Sequence, residues 1–564
     1  MNPAGEVGVW RRQLDRYPAS SARYRYLTVV VLTTVVVYYQ QYVGGAVSPS
    51  VLAFFGMSFR FYLGVVVVSN AAGSIASLVA GLADRWGRAN ITLYGLLAAS
   101  LTTTLGVPNA AGRFEYGALV SVVGFIEGMV LVATPALVRD FSPQLGRGRA
   151  MGFWTLGPVL GSLLVSEVAS NTLPHLHAWQ DQFHIAGLTG LGVFILAFFT
   201  LRELSPSLRD QLMVSIRERA LLEARARGID VRAALERPWR QMLGPQVLLP
   251  SLGVGVFLLI YYAAVGFFVI YFTSVFGFTQ AQANGLGNWF WAADAVTVVV
   301  VGVLSDTVGV RKPFVVAGTA VAIVMTIVFG SRATHPQTSY DTFIVIISVL
   351  SASRGFAYSP WMAAFTETLE RRNPALVATG LAVWGWVLRA VVAISFLVIP
   401  YVVASVSPVV NYGPRLLAIE TTYPEQVQTL RQIDPATLAT LRANPSDTAA
   451  IAEALHEIEV EGGVSSSSAV ARLVALSKVP KADRAYLQAH GAEVLTARAE
   501  APAQWRRWWW VCVGGQIAFL PTVFLLAGRW RRSAAKADLE AHRVAVEAEL
   551  ARMGPTPGLA ASPG

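Results

Sequence analysis

Long apolar runs parted by short polar stretches set the pattern of this chain. Twelve runs read as helices long enough to cross the roughly 30 Å of bilayer hydrocarbon: 27–47, 61–83, 91–107, 116–137, 151–169, 185–201, 247–274, 285–305, 313–330, 342–366, 376–404 and 508–528. A helix is the expected form because lipid offers no partner for backbone N–H and C=O groups, and a helix pairs them internally. The intervening loops predict orientation. Loops 84–90, 139–149, 306–312 and 367–373 together hold nine Lys or Arg, whereas the opposite loops hold only Arg60, Arg113 and Arg332. The positive-inside bias then puts both chain ends in the cytoplasm, with the protein in the cell's inner membrane.

The polar stretches predict the remaining organisation. Residues 1–26 form a cytoplasmic N-terminal segment with five Arg and no small-residue cleavage site before the first span. Six spans (27–202) make a first bundle, 203–246 a charged cytoplasmic linker with amphipathic helices, and 247–404 the next five spans. Span 12 occupies 506–528, followed by a cytoplasmic helix and tail, 529–564. The unusual piece is 405–505, which has no run long enough to span and falls on the extracytoplasmic side. Asp434-Pro435, Asn444-Pro445-Ser446-Asp447 and Ser465–Ser468 read as helix starts within it. Its eight basic and eleven acidic residues give it the opposite charge to the cytoplasmic segments. A small helical insertion is expected, either a lid, a module for an extracytoplasmic partner, or a decoration.

Composition narrows the classes. With 54% hydrophobic and 14% charged residues in 564, the chain is too apolar for a soluble protein of this length. The net charge of +10 does not point to nucleic acid, because the basic residues sit between apolar runs. The single Cys512 excludes an internal disulfide and a Cys-rich metal site. His175, His177 and His184 share a loop without ligand spacing, and no phosphate-cradling Gly-x-x-x-x-Gly-Lys-Ser/Thr loop is present. Neither metal nor cofactor is expected, the chain does not read as an enzyme, and a proton gradient is the energy source that fits. A monomer among membrane lipids is expected.

Two turns reveal a repeat. In Ala80-Gly-Leu-Ala-Asp84-Arg85-Trp-Gly87-Arg88-Ala-Asn90, an acid ends an apolar run, Gly permits a tight turn, and basic residues follow. The pattern returns later in the chain as Gly302-Val-Leu-Ser-Asp306-Thr-Val-Gly309-Val-Arg311-Lys312. At closely similar offsets Tyr38-Tyr39 returns as Tyr261-Tyr262, Gly128 as Gly355 and Gly152 as Gly380, so two six-span halves follow.

The first turn resembles the signature between spans 2 and 3 of the major facilitator superfamily, roughly Gly-x-x-x-Asp-Arg-x-Gly-Arg-Arg/Lys. Ala80 and Ala89 depart from it, as does Thr307 in the second copy. The resemblance implies an all-α membrane protein of two pseudo-symmetric six-helix bundles around a central cavity, rocking about a midplane site. It also implies an inner gate, with Asp84 facing the start of span 11 at Asn373-Pro374-Ala375 and Asp306 facing the start of span 5 near Arg147 and Arg149. Gly157-Pro158-Val-Leu-Gly161 in span 5 resembles the core of the exporter motif, with Phe153 where a further Gly is usual. The Arg that superfamily antiporters carry in span 4, four residues before a Gly, is Gly124 here.

Four charges lie near mid-membrane: Glu127, Asp294, Arg354 and Arg389, each about ten to thirteen residues into its span at about 1.5 Å per residue. Charges there face a cavity or one another. One reading is a permanent ion pair, for example Asp294 with Arg389. The other is function: Glu127 or Asp294 could carry a proton, while Arg354 and Arg389 could hold a carboxylate or phosphate. Tyr38, Tyr39, Gln40 and Gln41 are candidates for the cavity wall, as are Trp289, Trp291, Trp384 and Trp386. Three functions follow: proton-coupled export of a small amphipathic or drug-like molecule by an antiporter, movement of an organic anion on Arg354 and Arg389, or a transport-inactive sensor or scaffold acting through 405–505.

Overall fold

Apolar length decides most of the architecture. The computed structural model describes residues 12–78, 87–142, 154, 156–205, 207–208, 238–373 and 376–553. The first half comprises β1 (Gln13–Leu14), α1 (Ser20–Ala46), α2 (Ser48–Phe55), α3 (Phe59–Leu78), α4 (Arg88–Leu101), α5 (Arg113–Phe141), α6 (Gly157–Thr172), α7 (Trp179–Thr200) and β2 (Glu203–Leu204). The second comprises α8 (Pro238–Met242), α9 (Pro245–Phe257), α10 (Leu259–Phe276), α11 (Gln280–Val308), α12 (Lys312–Arg332), α13 (Tyr340–Arg372) and α14 (Val377–Val402). After these come α15 (Val406–Thr422), α16 (Pro424–Gln432), α17 (Pro435–Ala443), α18 (Thr448–Gly462), α19 (Ser466–Ala475), α20 (Lys481–Phe519) and α21 (Arg532–Met553). Eleven of the described helical stretches are long and apolar enough to cross a membrane. At the expected fifth span, α6 is described from Gly157, and 151–153 lie outside the described residues, as do most of the linker, 209–237.

Three boundaries depart from the apolar pattern, each for a local reason. The seventh run is two helices, α9 and α10, because Leu258 turns to ψ 5° between them. The third run ends in a wide turn over Thr102–Gly106 and a tight one over Val107–Asn109, where Pro108 supplies no N–H to continue the helix. The helix of the last span, α20, starts at Lys481, well before Trp508, since its first part is polar and helical at once. Apolarity reports burial in lipid, not helicity.

The chain divides into two compact units, Ala404–Pro502 and the remainder. The smaller unit packs its own core from Ile433, Ala454, Ile458, Ala469 and Leu476. Asp434 accepts from the Ala436 N–H at 2.8 Å to start α17, and Asp447 accepts from Ala449 and Ala450 at 3.0 and 3.1 Å to start α18. Ser465 precedes α19 but spends its hydroxyl on Ser467 and Ser468, so the third start lacks a side-chain cap.

In the larger unit, β1 and β2 pair in parallel, Gln13 with Glu203 and Leu14 with Leu204. Arg12 donates to the Phe198 carbonyl at 2.8 Å and lies 4.8 Å over the Phe198 ring. The two repeated turns both need glycine: Gly87 has φ 91° and Gly309 φ 76°, where a Cβ is strained. Small residues also set helix approach. A Cβ on Gly128 of α5 would collide with the Gly73 backbone of α3, and one on Gly355 of α13 would lie 2.9 Å from an Asp294 oxygen of α11. The repeated glycines thus mark the same helix–helix contact in both halves.

Candidate functional site

Both halves wall a central cavity of about 240 Å³. From the first half it takes Tyr38, Gln41 and Tyr42 of α1, Asn70 of α3 and Glu127 of α5. From the second it takes Tyr261 and Tyr262 of α10 and Arg389 of α14. Val120, Val123, Val265, Val392 and Phe396 complete an apolar body, so the wall is amphipathic with one acid and one base. Arg389 donates to Ser74 Oγ of α3 at 2.9 Å, bridging the halves. Glu127 makes no hydrogen bond among the described residues, and its charged neighbour is Arg389. Glycine brings α1 into place: a Cβ on Gly161 of α6 would lie 2.6 Å from Tyr38 Cβ, and one on Gly157 would lie 3.4 Å from its ring. Pro158 falls in the first turn of α6, where its missing N–H leaves no intrahelical bond unmade.

The other two mid-membrane charges lie off this wall. Asp294 of α11 and Arg354 of α13 form a buried ion pair, so in the ion-pair reading the partner of Asp294 is Arg354 of the same half rather than Arg389. Depth along the helix brings all three together in the sequence, but direction around the helix selects the partner. Arg354 lies 4.7 Å over the ring of Tyr261, which itself faces the cavity.

Neighbouring positions divide sharply. Tyr39 is 1% exposed and does not line the cavity, because one residue along a helix turns the side chain by about 100°. Gln40 touches the cavity but donates its amide to Ser100 Oγ at 2.8 Å and the Ala186 carbonyl at 3.3 Å. The four tryptophans share no pocket. Trp289 and Trp386 are more than half exposed, Trp384 packs against the core around Trp361, and Trp291 is buried against Tyr261.

Contacts between the halves gather at the end carrying the α1–α2 connection. Three amides of α11 at four-residue spacing reach across. Gln280 donates to Ser50 Oγ at 2.6 Å, Asn284 to the Ala46 carbonyl at 3.0 Å, and Asn288 to Ser170 Oγ at 3.1 Å. Phe59 meets Phe267 edge-on, and Arg60 lies 4.4 Å over Tyr401. Sequence reasoning misses this seam, although Gln280, Asn284 and Asn288 on one face of a membrane helix are a readable signal.

At the opposite end the ion pairs between described residues lie within one half. Arg88 holds Asp140 through both oxygens at 2.8 Å, and the Ala89 N–H donates to Glu203 at 3.3 Å. Arg311 holds Asp306 at 2.6 Å and Glu367 at 3.3 Å. Glu367 falls at the repeat position of Asp140, and Arg311 lies one place beyond that of Arg88, so each half has an arginine after its glycine turn that holds the corresponding acid. Lys312 donates to the Phe524 carbonyl at 3.4 Å. Asp84, Arg85, Arg147, Arg149, Pro374 and Ala375 lie outside the described residues. Sequence reasoning does not single out Asp140, Glu203 or Glu367; they lie at helix ends, where acids are common and carry no spacing signal.

A family model described as Major Facilitator Superfamily matches residues 30–396. A bacterial homolog of the human lysosomal transporter Spinster, in an inward-facing and unoccupied conformation, aligns with a TM-score of 0.56 at 14% identity, over 90% of this chain and 99% of its own. A D-xylose–proton symporter aligns with a TM-score of 0.52 at 14% identity, over 66% of this chain and 90% of its own. No curated protein matches in sequence.

Proposed function

Because this chain belongs to the Major Facilitator Superfamily, we propose that its central cavity carries a small amphipathic molecule across the inner membrane by alternating access, driven by the proton gradient. The observation that carries this reading is that Glu127 of one half and Arg389 of the other face a single cavity. When the halves rock apart at this level, Glu127 loses its counter-charge in a poorly solvated space. A proton taken up there removes the uncompensated charge, tying protonation to conformation. Export is the direction we assign, from the likeness of Gly157-Pro158-Val-Leu-Gly161 to the exporter motif.

The gate at the turn end belongs to the same reading. With the halves closed at the seam end, Asp306 keeps its bond to Arg311 in its own half. Closure at the turn end would bring Asp84 and Asp306 to face the opposite half. We assign that end to the cytoplasm, with both termini, and Ala404–Pro502 to the other side. The chain works as a monomer on this reading.

Flux into proteoliposomes under an imposed pH gradient tests the proposal, with ethidium as a lipophilic cation and 8-anilinonaphthalene-1-sulfonate as an organic anion. Gradient-driven ethidium flux lost in Glu127→Gln supports it, and flux unchanged in that variant removes Glu127 as the proton carrier. The second reading, transport of an organic anion, is favoured by Arg389 on the cavity wall. It drops Arg354 as a ligand, since that guanidinium lies behind Tyr261. Sulfonate flux abolished by Arg389→Gln, with ethidium ignored, would establish it.

A further inference from the structure

Asp294 and Arg354 are both almost fully buried, at 0% and 2% exposure, yet their pairing is incomplete. Asp294 Oδ1 and Arg354 Nε make no hydrogen bond among the described residues. An open lone pair on a buried carboxylate is unusual enough to need a reason. The aromatic groups around the pair supply one. Tyr261 covers the guanidinium face-on at 4.7 Å, and Phe290 stands 5.9 Å away. Trp291 supports the Tyr261 ring edge-on at 5.3 Å. Tyr262 of α10 and Tyr358 of α13 are the other titratable groups that feel these charges.

Tyr261 is held only by its ring. Its hydroxyl makes no hydrogen bond among the described residues, while the residue lines the cavity on its other side. Anything filling the cavity therefore touches the group that separates it from the ion pair. We propose that Tyr261 is a displaceable cover, a positioning residue that gives the chain two carboxylates of different access. Glu127 is open to the cavity at all times. Asp294 is reached only when the Tyr261 ring swings off Arg354, and its free oxygen then becomes a second proton site. The inference rests on the transport reading above, and its test needs no substrate.

The full-length protein in detergent is treated at mildly acidic pH with dicyclohexylcarbodiimide, an apolar reagent for protonated carboxyls, and the adducts are quantified by mass spectrometry. In the wild type Glu127 is labelled, and Asp294 is labelled at least about tenfold more slowly, the factor a desolvated cation–π contact can impose. Tyr261→Ala brings Asp294 labelling up towards that of Glu127 without changing the latter, and Tyr261→Phe behaves as wild type. If Tyr261→Ala does not fold, Tyr261→Val, still too short to cover Arg354, carries the same comparison. Asp294 labelled as fast as Glu127 in the wild type, or still protected in the short-chain variant, overturns the proposal. Failure of Glu127 to label instead counts against the cavity carboxylate of the transport reading, and the Asp294 comparison stands apart from it.

Discussion

The two halves share a plan and differ at their centre. Arg354 immediately precedes Gly355 as Glu127 precedes Gly128, so the repeat puts charges of opposite sign at equivalent positions. In the second half that charge is neutralised locally, because α11 supplies Asp294. The first-half counterpart of Asp294, placed by the same repeat, is Ala71 or Ala72, which supplies nothing. Glu127 must find its counter-charge across the cavity in Arg389. The charge at Arg354 is therefore neutralised within its own half, while Glu127 and Arg389 depend on how the two halves sit. A duplication that preserves fold can still divide labour through a single missing carboxylate.

The comparison breaks first at the ion pair. Arg354→Leu strands a buried carboxylate and should destabilise the protein by roughly 3–5 kcal/mol, read as a fall in thermal midpoint in detergent. The double substitution Asp294→Leu with Arg354→Leu should recover most of that loss. Arg88→Ala should come next, at up to about 3 kcal/mol, since it removes a buried ion pair to both oxygens of Asp140. Its counterpart Arg311→Ala should cost at most about 1 kcal/mol, because the Asp306 carboxylate it releases is 69% exposed to begin with. Equal losses from the two arginines would mean that the turns are not divided as described.

Gly128→Ala places a methyl against the Gly73 backbone and should cost about 1–3 kcal/mol. Asn284→Ala is the gentlest. It removes one seam hydrogen bond, worth about 1 kcal/mol, and should shift the balance towards opening at that end about fivefold. Labelling of a cysteine introduced at Gly44, on the cavity wall, by an impermeant maleimide reads that shift.

Much of this is legible in the sequence, and the reasons for the remainder are physical. Eleven of the twelve expected spans, the repeat and the family resemblance follow from apolar runs and two glycine turns, because lipid enforces length and positive φ enforces glycine. The place of the four charges along their helices also follows, since rise per residue is fixed. Partner choice does not follow. Whether Asp294 meets Arg354 or Arg389 depends on how α11 crosses α13, and Gly355 reports that crossing only once the two helices are known to touch. The same limit separates Tyr38 from Tyr39. The gate at Asp84 rests on resemblance and lies outside the described residues.

The short pairing of β1 with β2 has a consequence in time. Gln13 waits for Glu203, a partner that lies beyond the whole of the first bundle. At a synthesis rate of about 5–20 residues per second, that wait lasts roughly 10–40 s. During it α1 to α7 emerge, and no part of the second half yet exists. The clasp is therefore among the last contacts the first bundle makes with itself and one it completes unaided. A ribosome halted far enough past Ser205 for β2 to clear its exit tunnel should carry a fastened six-helix bundle, its two ends already joined.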